Sequence, residues 1–167
     1  VGWQLQAGQR SVQGAVEAAL SAVANGPVRT ICAGRTDAGV HALGQVVHFD
    51  TPAERAARAW VLGANTRLPP DIALTWAREM PPDFHARFGA VSRTYHYHIL
   101  NRSERPALAA GRVSWVRRPL EVARMNLAAA HLLGEHDFNA FRALECQSRT
   151  PVRRVTALAV CREGERV

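Results

Sequence analysis

The 167-residue chain carries 21 basic residues against 14 acidic ones, for a formal net charge of +7. That length can bury a real core and fits one large domain or two small ones sharing a sheet. No apolar run approaches the roughly 20 residues of a membrane span, and the opening VGWQLQAGQR lacks the basic-then-apolar layout of a signal peptide, so a cytoplasmic location is expected. The basic excess points to an anionic partner, with nucleic acid the commonest. Every basic residue is arginine, whose fork matches phosphate oxygens, although a coding bias towards arginine and alanine accounts for the same composition. Either way, no lysine is available as a Schiff base or general base. Cys32, Cys146 and Cys161 are odd in number and lack C-x-x-C spacing, so reduced, mostly buried thiols are expected rather than a disulfide framework or a zinc knuckle.

In chain order, SVQGAVEAALSAVAN at 11–25 places Val12, Ala15, Val16, Ala19, Leu20 and Val23 at helical spacing, and Asn25, Gly26 and Pro27 end it. VRTICAGR and GQVVHFD follow as two short strands with the Asp37 loop between them. Thr51, Pro52 and Glu54 read as a capping box with proline at the first helical position, predicting a helix from residue 52 to near Gly63. DIALTWARE at 71–79 alternates like a half-buried strand after Pro69 and Pro70. Helix, strand, strand, helix, strand is a βαββαβ ferredoxin-like unit lacking its first strand, and VGWQLQ fits the tail of that strand. AVSRTYHYHIL at 90–100 opens a second half as a long strand rich in aromatic and β-branched residues, followed by a turn-rich connection at 101–106. A strand over 112–117 comes next, then a helix ending at Gly134 with Val122, Met125, Ala129, Leu132 and Leu133 on one face, then a strand from Pro151. The domains are therefore an N-terminal half, 1–89, carrying the Asp37 loop and a partial C-terminal half, 90–167.

Asp37 lies within GRTDAGVHALGQVVHFDT, 34–51, between Gly34 and Gly39, which permit backbone shapes other residues resist. An isolated D-x-G is most often an Asx-turn in a hairpin. This loop is more elaborate than a turn requires. Arg35 lies two residues before Asp37, close enough to hold it ionised, and the flanking strands supply a rigid mount.

The same stretch resembles the signature loop of the TruA family of tRNA pseudouridine synthases. GWQ at 2–4, SVQGAVEAAL at 11–20, LPPDIAL at 68–74, FHARFGAVSRTYHYHI at 84–99 and GEHDFNAFRALECQS at 134–148 are similar to other blocks of that family and keep its order. The resemblance covers essentially the whole chain. It implies an α+β pseudouridine synthase fold: two ferredoxin-like halves sharing a mostly antiparallel sheet flanked by helices, incomplete in this chain. It also implies isomerisation of uridine to its C-glycoside isomer in the tRNA anticodon stem-loop, typically at positions 38 to 40. The family needs no cofactor, metal or nucleotide, and its members work as homodimers whose two basic clefts hold the tRNA.

By that resemblance Asp37 is the catalytic aspartate, acting near C1′ and C6 as a nucleophile or as a base on the sugar. The target uridine must be flipped out of its stack to be reached. Arg35 matches the arginine expected to fill the vacated space and contact the backbone. Tyr95 matches the tyrosine that stacks on the flipped base, a contact of roughly 1–3 kcal/mol; by pattern alone it reads as a core or sheet-face aromatic. His41 is assigned loop support through hydrogen bonds rather than general-base work. His85, Arg87 and Arg93 lie in or beside the FHARF and SRTY blocks and are candidate substrate contacts, as is Arg142 in FNAFR, with solvated surface arginine the alternative. Phe138 and Phe141 are assigned to the core. His96 and His98 share a strand face without a third ligand at recognisable spacing, and are read as a sheet-face pair near RNA rather than a metal site.

The family pattern continues past residue 167 with a strand, a long helix and a basic residue expected to pair with the catalytic aspartate, so the chain resembles a family member cut at both ends. Two other readings compete. One is a tRNA-binding ferredoxin-like module without chemistry, or an inactive fragment; no K/R-G-F/Y aromatic signature of an RNA-recognition motif supports its simplest form. The other is a metal-dependent or two-carboxylate hydrolase, for which Asp50 and Asp137 stand at no spacing that predicts proximity to Asp37.

Overall fold

Ser11 is extended, at φ −134° and ψ 158°, and its hydroxyl accepts the Gly14 N–H, so α1 runs Val12–Ala24 as its spacing predicts. Asn25 closes it in the left-handed region at φ 55°, a conformation asparagine tolerates. The computed structural model describes residues 2–142 and 150–167. It divides into two compact units, residues 1–95 and 96–167. Cys146 and the end of the last matching block lie outside the described residues.

In the first unit the buried face of α1, formed by Val16, Ala19 and Leu20, packs with Val28, Trp60 and Ala64 into one apolar cluster. α2, Ala57–Asn65, supplies Trp60 and Ala64. A Cβ at Gly63 would meet Val23 Cγ2 at 2.9 Å, so glycine sets how closely the two helices approach. The helix expected from residue 52 begins only at Ala57. Thr51 Oγ1 accepts the Ala53 N–H at 3.2 Å, closing a local turn that does not propagate, and Ala56 offers no side-chain cap.

β1, Ile31–Cys32, and β2, Val47–His48, pair antiparallel with Ile31 opposite His48. The bond from Ala33 N–H to Val46 C=O, at 2.8 Å, extends this pairing to the base of the Asp37 loop. Residues 71–79 alternate in burial only at Ile72 and Leu74: Trp76 is exposed and Ala77 is the next residue against the apolar cluster, and the stretch forms no strand. The Asn65 amide explains this: it donates to the Leu74 C=O at 2.9 Å and accepts the Leu74 N–H at 2.8 Å, occupying groups a neighbouring strand would pair.

In the second unit β3, Ile99–Asn101, runs parallel to β4, Ser114–Val116. β5, Gly134–Asp137, pairs antiparallel with β6, Val152–Val155. The long strand expected over 90–100 is thus reduced to its last residues, and in the stretch before them Val91, Tyr95 and Tyr97 are exposed, with no buried face to hold a ladder. α3 covers Val122–Ala130 and stops short of Gly134, which opens β5 at φ 98°; Leu132 and Leu133 are left exposed beyond the helix. Phe138 is half-buried and Phe141 is exposed, so Phe141 is no core residue. Cys32 is buried, whereas Cys161 is exposed, against expectation. The architecture is mixed α+β, with three two-stranded sheets among the described residues. None of the described helices is long and apolar enough to cross a membrane.

Candidate active site

The Asp37 loop is held from several directions. Across its base, the Gln45 side-chain amide donates to the Gly34 C=O and accepts the Gly34 N–H. From the N-terminal segment, Trp3 N–H donates to the Thr36 C=O at 2.9 Å. That segment is itself docked on α1: the carbonyls of Gly2 and Trp3 accept the Val12 and Gln13 N–H groups at 3.3 and 3.0 Å. Helices leave such first-turn donors without intrahelical partners, so these two carbonyls act as a cap. The Trp3 side chain, 4% exposed, anchors the segment.

Within the loop, Val40 N–H donates to the Asp37 C=O at 3.2 Å, with Gly39 at φ 82° in the turn. The D-x-G is therefore a turn, but the turn uses the aspartate's carbonyl. Its carboxylate is exposed and has no hydrogen-bond or ion-pair partner among the described residues. The two-residue spacing does not produce an Arg35–Asp37 ion pair. His41 is exposed and makes no side-chain hydrogen bond among the described residues; Gln45 performs the cross-linking assigned to it.

The same unit holds a buried carboxylate that sequence periodicity does not reveal. Glu17, on α1, is 5% exposed and accepts from Thr30 N–H at 2.9 Å, Thr30 Oγ1 at 3.1 Å, Gln13 Nε2 at 2.9 Å and Arg29 Nη1 at 2.9 Å. Burial pushes its carboxyl up, but the Thr30 N–H, the Gln13 amide, the Arg29 guanidinium and the Thr30 hydroxyl together hold it below the ordinary value. Gln13 also receives the Leu5 N–H, so one side chain joins the N-terminal segment to Glu17. A glutamate four positions after a glutamine on one helix is the signal that marks this network in retrospect.

Three of the candidate arginines lie near enough to Cys32 for their charge to act on it. Burial pushes the Cys32 thiol up, while the positive charges of Arg35, Arg87 and Arg93 act on it in the opposite sense. Arg93 donates to the Ala33 C=O and lies across Gly34, where a Cβ would stand 2.8 Å from its Nε. His85 is occupied locally. Its Nδ1 accepts the N–H groups of Arg87 and Phe88 at 3.2 Å, its ring stacks on Phe88 at 4.2 Å, and it approaches the His48 ring at 4.7 Å. Beside it is a hollow of about 450 Å³ lined in part by Phe84, His85 and Phe88, with Asp37 outside it.

Tyr95 is 80% exposed, and among the described residues no hydrogen bond or ring contact ties it to the Asp37 loop. In the second unit the His96 and His98 rings stack 6.4 Å apart, Asp137 accepts the Asn139 N–H in a local turn, and the Arg142 N–H closes the short 3₁₀ turn Asn139–Phe141. No group of three metal-ligating side chains converges among the described residues.

An exposed carboxylate on a braced loop, in the same unit as Arg35, Arg87 and Arg93, makes Asp37 the candidate acid of the site. The family model described as "tRNA pseudouridine synthase" matches residues 3–89 and 128–167, and the chain belongs to that family. It is 58% identical over 166 residues to tRNA pseudouridine synthase A of Methylococcus capsulatus, covering 99% of this chain and 61% of that protein. The proteins of the same name from Nitrosococcus oceani and Albidiferax ferrireducens are 56% and 53% identical over 98% of this chain, and 63% of each is covered. The chain thus spans somewhat under two thirds of the length of these relatives.

Proposed function

We propose that this chain carries the catalytic loop of a tRNA pseudouridine synthase that isomerises uridine in the anticodon stem-loop, at positions 38 to 40, with Asp37 as its catalytic residue. The observation that carries the reading is the exposed Asp37 carboxylate, without a partner among the described residues, on a loop whose backbone is fixed at Gly34, Thr36 and Val40. A carboxylate that must act on a flipped nucleoside has to be reachable, and its mount has to be rigid. In the net reaction the C1′–N1 bond breaks, a C1′–C5 bond forms, the proton on C5 is lost and N1 gains one. Atoms and charge balance without a cofactor or metal.

In this reading Tyr95 stacks on the flipped uracil and Arg35 fills the vacated space. Arg87 and Arg93 add positive charge for the phosphates, while His85 and His41 shape the surface around the substrate. The positive charge that Arg35, Arg87 and Arg93 bring to bear on Cys32 supports the phosphate-facing role. The ferredoxin-like halves, 1–89 and 90–167, the homodimer and the cytoplasmic location belong to the same proposal.

The test is tritium release from a tRNA transcript labelled at uridine C5. Asp37→Asn is expected to abolish release while leaving tRNA affinity within about twofold, because binding is carried mainly by phosphate contacts. Turnover retained by this variant overturns the assignment.

A further inference from the structure

We infer that Gly2 is a positioning residue for Asp37: the N-terminal segment is a backbone wedge between α1 and the reactive loop, and its fit depends on the missing side chain at residue 2. A Cβ built at Gly2 would stand 2.5 Å from Thr36 O, 2.9 Å from Asp37 C and 3.0 Å from Ala38 N. All three are backbone atoms of the two peptides flanking Asp37, one of them bonded to its Cα, and none can swing aside as a side chain can. The wedge cannot retreat either. Its carbonyls hold the Val12 and Gln13 N–H groups, its Trp3 N–H holds the Thr36 C=O, and the Trp3 side chain is buried. A methyl group at residue 2 therefore has to displace the peptide that carries the carboxylate.

A displacement of about 1 Å at a reacting group lowers rates by about 10²-fold. Arg87 and Arg93, assigned to the phosphates, lie outside the Asp37 loop, so the substrate should bind nearly as before. The inference rests on the reading of Asp37 as the catalytic group, and the experiment separates the two.

In the full chain, Gly2→Ala, Asp37→Asn and Gly26→Ala are compared by tritium-release kcat and KM, tRNA dissociation constant and thermal midpoint. Gly26 is the matched control because nothing lies within 4 Å of a Cβ there. For Gly2→Ala the expected result is a kcat lowered about 10- to 100-fold, with KM, affinity and midpoint close to those of Gly26→Ala. A normal kcat in Gly2→Ala beside an inactive Asp37→Asn overturns the positioning role and leaves the Asp37 assignment intact. A kcat that falls only in step with affinity or midpoint also overturns it, since that is a general structural loss. Activity in Asp37→Asn overturns both readings.

Should Gly2→Ala fail to fold, Val12→Pro addresses the same wedge. Proline is tolerated at the first helical position, and Ser11 before it is already extended, yet the substitution removes the N–H that holds the Gly2 C=O. A several-fold fall in kcat at unchanged affinity supports the wedge, and an unchanged kcat refutes it.

Discussion

The first unit buries side chains from both of its helices in one apolar cluster, Val16, Ala19, Leu20, Val28, Trp60 and Ala64, with Phe49 meeting Trp60 edge-on at 5.1 Å. In the second unit the buried apolar residues among those described are Leu100 and Ala129, while Leu108, Leu127 and Phe141 are exposed. Its order comes from asparagines that bond to backbone. Asn126 takes both the N–H and the C=O of Val160, and Asn101 donates to the Val116 and Arg118 carbonyls and accepts the Leu120 N–H. The contrast matters for the Asp37 loop. A packed apolar cluster is dense and resists deformation, so a loop rooted beside it inherits its rigidity. Side-chain-to-backbone bonds are directional but individually modest. The unit holding Asp37 is the one built to keep an atom in place.

The largest effect expected from this contrast is at Leu20, 1% exposed. Leu20→Ala should destabilise the first unit by roughly 2–5 kcal/mol through lost burial and a cavity. Urea unfolding measures this, and amide exchange should show protection lost first over α1 and α2. Equal loss of protection in both units would contradict their separate bases of stability.

Glu17 comes next. Glu17→Ala strands the buried Thr30 N–H and should cost roughly 1–3 kcal/mol. Because the folded carboxyl is held below its ordinary value of 4.5, its contribution is fully present above that pH and is lost as pH falls through the lower folded value. Glu17→Gln should therefore flatten the acid limb of a stability-against-pH curve below about 4.5 while changing its shape little near neutrality. An unchanged acid limb would refute the role given to this carboxylate.

Asn126→Ala should have the smallest effect, about 1 kcal/mol. Amide exchange at Val160 is the more sensitive readout, since its N–H loses its acceptor. A cost as large as that of Leu20→Ala would mean that the second unit depends on its polar stitching as heavily as the first depends on apolar burial.

The legibility of these features tracks the distance over which their causes act. Ser11 and Asn25 mark the ends of α1 through contacts within a turn, and the alternation over 71–79 names the inward residues Ile72 and Leu74 but fails at the exposed Trp76. The strand expected there is absent because Asn65, from another element, takes the Leu74 backbone groups. The capping box at Thr51 has the right residues, yet the chain turns once and continues extended before α2. Asp37 was identifiable as the candidate acid from its glycines and from the block around it. That its carbonyl, and not its carboxylate, makes the turn was not.

Periodicity, capping residues and the Gly34–Asp37–Gly39 spacing act through neighbours a few residues apart, so α1, the turn and the lone acid are written into the chain itself. The wedge of Gly2 and Trp3 against Thr36, the buried Glu17 bonded to Thr30 and the reach of Arg93 to the Ala33 C=O join segments far apart in sequence. Those arrangements exist only after tertiary packing, because a backbone donor or a guanidinium pairs with whichever partner the fold brings within reach, whatever its sequence distance.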